Sequence, residues 1–417
     1  MIFNYNKTNI LVFIFILTGI ILRLIWTEDM EWKSDEQWNY EHAQDAMESG
    51  NWGAVGMESS AGIVNPGLSA WIFTILSYIS STPVEMAQCV KVINIIVLLG
   101  FVLFAMKRTT NHERTIWLWG LALASVSPLA VLFSRKIWDP DVIVLFSLIT
   151  IIGNSFRTKR AGAFFWGIAG AMAGQIHLSG FYYAFGIFIF TILYDVITKT
   201  KTRYWWWVAG SIIGSLGLIP WVNYILDNPH DVYLKWIYIF RFGFYIYWML
   251  DGLGINIIYS MHGTFWEFIK LPYIGGIPLY LLGIIHLFLA AVGVVVIKRI
   301  YLYIKNKILI LNTKEKIKDY IKNLSLSEFY LLSILLGLGI FLNFSGVYIY
   351  HHYLIIGFPF AYIFLAKVLM PYKKLLLSVI IAQLIITISF LIFVHIHDGV
   401  IKGDYGRSYI SQDDVSE

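Results

Sequence analysis

The sequence predicts an all-α polytopic membrane protein with about 11 transmembrane helices and interfacial helices in its first outer loop. Three observations lead to this fold class. Hydrophobic residues make up 58% of the 417 residues and charged residues 14%, and the mean hydropathy is +0.68. Apolar runs long enough to cross a bilayer recur along the chain. Lys and Arg concentrate in alternate connecting segments, as they do in cytoplasmic loops.

Apolar runs of about 15 to 23 residues define the candidate spans. No small-residue cleavage site follows the first run, so we expect a retained anchor rather than a removed signal peptide. The fourth, fifth and sixth runs are the shortest. The eleven candidate spans are residues 8–26, 87–106, 114–133, 142–156, 161–178, 180–197, 204–225, 276–297, 327–344, 352–370 and 374–396.

The distribution of basic residues predicts the orientation in the cell (inner or plasma) membrane. With the N-terminus in the cytoplasm, most Lys and Arg fall in inner segments, as the positive-inside rule requires. The first loop, the 226–275 loop and the C-terminal tail then share the outer face. The formal charge of +5 is spread over several loops, so we expect membrane lipids as partners and no nucleic acid.

Three segments between the spans are expected to lie along the membrane surface. Residues 65–80 are apolar but too short to span, which favours an interfacial helix in the first outer loop. The 226–275 loop is aromatic and typical of an interface-bound segment. In 298–322, Lys recurs at near-helical spacing, which indicates an amphipathic helix beside anionic lipid. We divide the chain into a catalytic module, 1–225 with its outer loop 27–86, and a second part, 226–417.

The first long polar segment, residues 26–67, is acidic. Residues 34–37 fit a capping box made by Ser and Gln, which predicts a helix over about 35–48. Asp35 and Glu36 then lie in the first turn, where the helix dipole favours ionised carboxylates, as a general base requires. The alternative is that these acids only stabilise a surface helix. The acids, with Lys33 as the one basic residue among them, are Glu28, Asp29, Glu31, Asp35, Glu36, Glu41, Asp45, Glu48 and Glu58.

The predicted membrane interior holds few ionisable residues. Arg23, Lys91 and Lys367 lie toward span ends, where long side chains can reach the interface. His286 is near the middle of a span, and we interpret it as a hydrogen-bonded core residue. Because charges in hydrocarbon persist mainly for pairing or function, the absence of an Asp/Glu/His relay in the sequence argues against a proton-coupled or ion-coupled transporter.

The outer span ends, in contrast, collect polar residues. The turn at 134–141 holds two cations and two acids, which indicates a binding site or a turn closed by its own salt bridge. His177 interrupts the hairpin between the fifth and sixth spans. His351 and His352 lie between the ninth and tenth; adjacent residues on a helix cannot face one way, so we expect one of them in a shared site. Without a carboxylate at metal spacing, they are weak evidence for zinc.

Four short motifs follow one another along these outer segments. The first lies in the acidic loop, the second begins the interfacial helix, and the other two lie in turns between spans. They are Asp35-Glu36 with Tyr40, Ala43 and Glu-Ser-Gly-Asn-Trp at 48–52; Asn65-Pro66-Gly67-Leu68; the turn from Ser134-Arg135 to Asp141; and His351-His352-Tyr353 with Pro359.

These motifs resemble those of the GT-C superfamily of membrane glycosyltransferases, the group that contains protein O-mannosyltransferases and the lipid A aminoarabinose transferase. The resemblance covers residues 1–200 well and the rest only through the late histidine motif. It implies a GT-C-like fold, a polyprenyl-phosphate sugar donor, an outward-facing active site and inversion at the anomeric carbon. Where the family carries Lys-Pro-Pro, this chain has Asn65, so one phosphate or acceptor contact is changed.

The resemblance also implies roles for individual residues. Asp35 is the expected catalytic base, with Glu36 orienting Asp35 or the acceptor, although the residues alone leave open which of the two is the base. The expected donor phosphate ligands are Arg135, Lys136, His351 and His352. The expected substrate-binding residues are Asn65, Tyr40, Asp139, Asp141, His177 and Tyr350.

The predicted function is therefore a hexosyl- or pentosyltransferase that moves a sugar from a lipid-phosphate donor to an acceptor hydroxyl. The acceptor, a glycan, lipid or protein, is undefined. We expect no cofactor and no metal ligands; because one phosphate leaves, a divalent metal is possible but not obligatory. The alternatives are a transporter or flippase of lipid-linked sugars, which should show repeated halves with broken helices, and a noncatalytic assembly subunit.

Overall fold

The computed structural model describes residues 2–59, 62–229 and 234–413, and within them the side chains of residues 10–412. Most of these residues are helical, and three short antiparallel hairpins join them. The elements are α1 (Ile2–Leu24), α2 (Ser34–Ser49), β1 (Val55–Glu58), β2 (Val64–Pro66), α3 (Leu68–Ser77), α4 (Pro83–Arg108), α5 (Asn111–Val126), α6 (Pro128–Leu132), α7 (Asp139–Ser155), α8 (Arg160–Ile176), α9 (Ser179–Thr198), α10 (Tyr204–Gly214), α11 (Leu218–Asp227), α12 (Gly243–Leu253), α13 (Ile257–Met261), α14 (Phe265–Phe268), β3 (Tyr273–Ile274), β4 (Ile277–Pro278), α15 (Leu281–Ile310), α16 (Lys314–Lys322), α17 (Leu326–Leu332), α18 (Gly339–Asn343), α19 (Phe360–Leu369), α20 (Lys373–Ile396), β5 (Gly399–Val400), β6 (Gly406–Arg407) and α21 (Ile410–Asp413).

Each predicted span contains helical residues, and the all-α membrane class is confirmed. Among the described residues, however, five helical stretches are by themselves long and apolar enough to cross a membrane, or six if α10 and α11, bent by 56°, form one span. The count of eleven therefore stays a prediction. Helices α7 and α8, of 17 residues each, are about 26 Å long, slightly less than the hydrocarbon core. The five stretches are Pro83–Arg108, Ser179–Thr198, Leu281–Ile310, Leu326–Asn343 and Phe360–Ile396.

We call the side of the bundle that carries the acidic loop the loop end. Two buried arginines there donate hydrogen bonds to the carbonyls at helix termini. Pro128 has no N–H, so it interrupts the third predicted span and leaves carbonyls at the end of α5 unpaired. Arg23 donates to two of them, at 2.6 Å from Ser125 O and 3.5 Å from Ala124 O. Arg135 in turn donates to carbonyls at the end of α1, 2.7 Å from Leu22 O.

The prediction that the Arg23 and Lys91 side chains reach the membrane interface is therefore wrong, because both side chains are buried within the protein. Lys91 has no exposed surface, and its Nζ has no hydrogen-bond partner in the part of the chain that the structure describes. Lys367, by contrast, stays partly exposed and lies 3.0 Å from Glu328. His286 is a hydrogen-bonded core residue, as predicted, with Nδ1 2.7 Å from Leu282 O.

The helix of the acidic loop starts one residue earlier than predicted. In α2 the first helical residue is Ser34, and the capping carboxylate is Glu36, which accepts the backbone N–H of Lys33 at 3.3 Å. Gln37, predicted to reach back, instead donates to Glu41 at 2.7 Å. The shift follows from the three-residue spacing of a capping box, because a helix starting at Ser34 places Glu36, not Gln37, third.

The later segments differ from their predicted boundaries. The span expected to begin at residue 276 instead begins at Leu281, because β3 and β4 turn through Gly275 and Gly276 in the left-handed region. Helix α15 then continues past residue 297 to Ile310, which leaves α16 as a nine-residue helix. In the 226–275 loop, α12 buries Phe244 and Trp248 in the core rather than lying wholly along a surface.

An ion pair opposite the loop end provides a test of the packing. Arg157 Nη2 lies 2.8 Å from Asp195 Oδ1, and Thr202 and Tyr204 also donate to this carboxylate. We expect Arg157→Ala to destabilise the protein by about 3 kcal/mol, because it leaves a buried charge without its partner. Thermal unfolding of the protein in detergent measures this. Lys159→Ala, at an exposed neighbour, should unfold like the wild type, and equal stability of the two variants would contradict the prediction.

Candidate active site

The C-terminal tail packs against the acidic loop. The backbone of Glu31 pairs with Ser408, and Tyr409 N–H donates to Met30 O at 3.0 Å. Lys33 Nζ donates to Asp404 O at 2.6 Å. The contacts between the acidic loop and the tail join residues more than 370 positions apart in the chain. No local sequence pattern could therefore have predicted them. The tail fixes the loop against the helix ends.

A buried ionic cluster lies beneath this loop. Lys136 Nζ is 3.1 Å from Glu31 Oε2 and 3.5 Å from Glu36 Oε1. Both carboxylates and the ammonium group are buried. The ammonium also lies 4.0 Å from the centre of the Trp138 ring, at cation–π distance. The turn at 134–141 is thus not closed by a salt bridge of its own; its Lys136 pairs with acids of the first loop.

The charge balance of this cluster follows from burial. Burial and the neighbouring Glu31 charge raise the pKa of Glu36 to about 8. Burial lowers the pKa of Lys136, but the attraction of Glu31 and Glu36 outweighs this effect and raises it above its ordinary value. The Lys33 ammonium, 2.6 Å from Glu31 Oε1, adds a second positive charge to this cluster. Burial of Glu36 opposes its ionisation, whereas the helix dipole at the start of α2 favours it.

Asp139 and Asp141 add two further buried carboxyls. Burial and the Asp35 charge raise the pKa of Asp139 to about 7, and burial raises that of Asp141 well above its ordinary range despite Lys136. Neither Asp141 carboxylate oxygen has a hydrogen-bond partner among the described residues. These acids are therefore buried next to the cluster rather than at an open surface.

Asp35 differs from its neighbours because its carboxylate is only half-buried. Its Oδ2 accepts a hydrogen bond from Trp138 Nε1 at 3.1 Å, and its Oδ1 accepts one from the Ser34 hydroxyl at 3.3 Å. The indole thus orients an accessible carboxylate through its N–H, while the Lys136 ammonium lies over its ring. Of the two acids of the Asp-Glu motif, Asp35 has the exposure and the fixed orientation of a general base.

The late histidines point in two directions, as their adjacency predicts. His351 is buried against Phe133, with ring centroids 5.1 Å apart. His352 is half-buried, with its ring centroid 4.7 Å from that of Trp138 and 5.6 Å from that of His177. His352 is therefore the one histidine of the pair that borders the Asp35 environment.

His177 and Tyr350 flank His352 on its other sides. Ser179 N–H donates to His177 Nδ1 at 3.2 Å, which leaves the ring proton on Nε2. The Tyr350 ring is parallel to that of His352, with centroids 5.6 Å apart. The structure thus brings together Asp35, His352, His177 and Tyr350 through adjoining rings, with Lys136 and Asp139 next to them.

The other predicted site residues lie elsewhere. Arg135 uses its guanidinium on backbone carbonyls at the end of α1, a geometry that does not support a phosphate contact. Tyr40 donates to Ser81 O at 2.9 Å and thereby fastens α2 to the residues before α4. Asn65 is buried in β2, and no contact joins it to Asp35 in the described ranges.

Sequence reasoning missed Trp138, the C-terminal tail and the part played by Glu31. Trp138 stands inside the 134–141 motif, but aromatic residues at span ends are common and gave no distinguishing signal. Glu31 was one of nine loop acids. No three His, Cys, Asp or Glu side chains converge in a metal-binding group within the described ranges, and the cofactor requirement stays a prediction.

The raised carboxyl pKa values predict a pH-dependent stability. Glu36 and Asp139 hold protons in the folded state up to pH 8 and 7, well above their ordinary pKa values of 4.5 and 3.8. These two groups therefore bind more protons in the folded than in the unfolded state in this window, and their contribution to stability falls as pH rises through it. Because Glu36→Gln removes one of them, we expect the melting temperature of this variant to rise relative to that of the wild type between pH 5 and pH 9. A difference between the two proteins that does not change with pH would contradict the assignment.

Comparisons with known proteins support the fold. No protein-family model matches the sequence, and no curated protein does. Among solved structures, ArnT from Cupriavidus metallidurans in the apo state shares the fold of this chain, with a TM-score of 0.51 at 11% identity over 87% of this chain. The chain spans 61% of the ArnT chain.

Proposed function

We propose that the protein is a glycosyltransferase that moves a sugar from a polyprenyl-phosphate donor to an acceptor hydroxyl. The observation that carries the proposal is the half-exposed Asp35, oriented by Trp138 beside the buried Lys136. The fold shared with ArnT supports the enzyme class, and the motifs that resemble the GT-C superfamily support the lipid-phosphate donor. With the N-terminus in the cytoplasm, the loop end faces outward, where the donor presents its phosphate and sugar.

The reaction is a single displacement at the anomeric carbon. The acceptor oxygen attacks this carbon while the carbon–oxygen bond to phosphate breaks, and the bond's electron pair leaves with the polyprenyl phosphate. Asp35 takes the proton of the acceptor hydroxyl. Attack from the side opposite the phosphate inverts the anomeric configuration. Glu36 does not act as a second base, because it is buried and holds its proton near neutral pH.

The negative charge that accumulates on the leaving phosphate needs stabilisation. His352 is placed for this role because it borders Trp138 and is half-buried. Lys136 contributes a positive potential from below the indole ring. Its ammonium is already paired with Glu31, so we assign it to electrostatic support of the site rather than to direct phosphate binding.

The test is sugar transfer by the purified protein in lipid nanodiscs. A panel of labelled polyprenyl-phosphate sugars is offered with a crude envelope extract as acceptor. We expect transfer from at least one donor, and loss of this transfer in Asp35→Asn. No turnover with any donor, together with movement of a donor across liposomes that contain the protein, would instead identify a transporter of lipid-linked sugars.

A further inference from the structure

A cavity of about 280 Å³ opens beside the proposed active site. It lies between the segment that begins α12 and the turn before His351. Three tyrosines and one arginine supply its polar groups, and the remaining lining residues are small or aliphatic. The lining residues are Tyr238, Arg241, Gly243, Ile246, Tyr247, Tyr348 and Ile349.

A row of aromatic rings, which we call the aromatic track, joins this cavity to Asp35. Successive ring centroids are 5.3, 4.6, 5.6 and 4.7 Å apart, and the last ring donates to the Asp35 carboxylate at 3.1 Å. Every ring of the track is half-buried, so each leaves part of its surface accessible. In order from the cavity, the rings are Tyr238, Tyr348, Tyr350, His352 and Trp138.

A positive charge marks the far end of the track. The Arg241 guanidinium lies 5.0 Å from the ring centre of Tyr238 and 5.1 Å from that of Tyr348. No carboxylate of the described residues lies within ion-pair distance of it. An exposed arginine held by two rings and without an acidic partner is suited to bind an anionic group of a ligand.

We propose that the three tyrosines of the aromatic track form the acceptor site, which His352 and Trp138 join to the reaction centre, and that the acceptor is an oligosaccharide with an anionic group remote from the reacting hydroxyl. This proposal rests on the proposed glycosyltransferase function. The apolar C–H faces of sugar rings pack on aromatic rings, and tyrosine hydroxyls and histidine or indole nitrogens can bond to sugar hydroxyls. Several rings separate Arg241 from Asp35, so one sugar residue cannot reach both.

The chemistry of the track favours a saccharide over a lipid chain. An acyl or polyprenyl chain needs a continuous apolar groove, whereas each ring of this track carries a polar atom: a hydroxyl on Tyr238, Tyr348 and Tyr350, and a ring nitrogen on His352 and Trp138. Such alternation of apolar surface with a few polar groups is typical of small-molecule sites.

The test measures binding of two matched probes to the full-length Asp35→Asn protein in phosphatidylcholine nanodiscs. The probes are a hyaluronan tetrasaccharide, which carries carboxylates, and neutral chitotetraose. We expect the anionic probe to bind about 10-fold more tightly, and Arg241→Gln to remove this preference, since one charge-assisted hydrogen bond is lost. Tyr348→Ala should weaken the binding of both probes. Trp236→Ala, at a residue 84% exposed, is the control and should bind both like its parent.

Two results would overturn the proposal: absence of binding of either tetrasaccharide, or equal binding of both in the Arg241→Gln variant and its parent. Displacement of the anionic probe by phosphatidylglycerol in the nanodisc would assign Arg241 to a lipid headgroup and also overturn it. Transfer of sugar from the donor to the crude envelope extract, measured with the wild-type protein, distinguishes failure of the acceptor site from failure of the proposed function. Transfer without oligosaccharide binding refutes the acceptor site alone, whereas absence of transfer with every donor refutes the proposed function.

Discussion

Replacement of Asp35 by Asn should reduce sugar transfer by about 100-fold or more, which is the usual contribution of a positioned general base. The amide keeps the size of the side chain and can still accept the hydrogen bond from Trp138 Nε1, so folding should be unaffected. It cannot take the proton of the acceptor hydroxyl. Initial rates with a saturating donor, compared at equal amounts of folded protein, measure the effect.

Glu48→Gln is the matched control for this variant. Glu48 lies on the same helix, α2, near its other end, and is exposed. It therefore undergoes the same change of charge without touching the ionic cluster. We expect nearly full activity. Equal activity of the Asp35 and Glu48 variants would remove Asp35 from the mechanism, whereas equal loss would show that only the charge of the loop matters.

Replacement of Lys136 by Met should destabilise the fold by about 3–5 kcal/mol and remove transfer activity. Its ammonium is the partner of the buried Glu31 and Glu36 and lies near Asp141. Without it, the cluster loses its buried cation, and the partly exposed Lys33, 2.6 Å from Glu31 Oε1, is the one ammonium left beside the buried Glu31 among the described residues. The melting temperature in detergent, followed by the tryptophan emission, measures the loss of stability.

A double variant separates the structural part of this effect from the catalytic part. When Glu31→Gln is added to Lys136→Met, the buried carboxylate and its buried cation disappear together, while Lys33 keeps Asp404 as a partner at 3.3 Å. Most of the stability should therefore return. Transfer should remain low, because the positive potential beside Asp35 is still missing. Recovery of both stability and activity would show that Lys136 serves only the fold, and a stable single variant would contradict the proposed pairing.

The acidic loop shows which features of the site could be predicted from the sequence. The helix of the loop, its first-turn acids and the turn at 134–141 were all predicted from short-range patterns. The structure brings the loop and the turn into contact, with the Trp138 indole donating to Asp35 and lying beneath the Lys136 ammonium. The separate roles of Asp35 and Glu36 were not predictable, because both carboxylates lie in the first turn of the same helix and differ only in burial. Glu36 is buried against Lys136, a residue 100 positions later in the chain.

Arg135 is a residue whose role could not be predicted from the sequence. A cation in a polar turn is equally compatible with phosphate binding and with capping of a distant helix. The structure directs it to the end of α1, where the carbonyls of Leu22 and Ile25 accept its hydrogen bonds. The end of an apolar helix leaves several carbonyls without hydrogen-bond partners. Arg135 supplies the donors for these carbonyls, and the sequence around Arg135 gives no sign of this role.

The sequence by itself determined the membrane class, the approximate positions of the helices and the polar loop that carries Asp35. These properties depend on composition and on patterns within one helix length, since the cost of exposing backbone or charge to hydrocarbon acts on each segment separately. The tertiary structure alone decided which polar groups meet: the tail with the loop, Glu36 with Lys136, and Trp138 with Asp35. Such contacts join residues from 100 to 371 positions apart, and the packing of whole helices selects them.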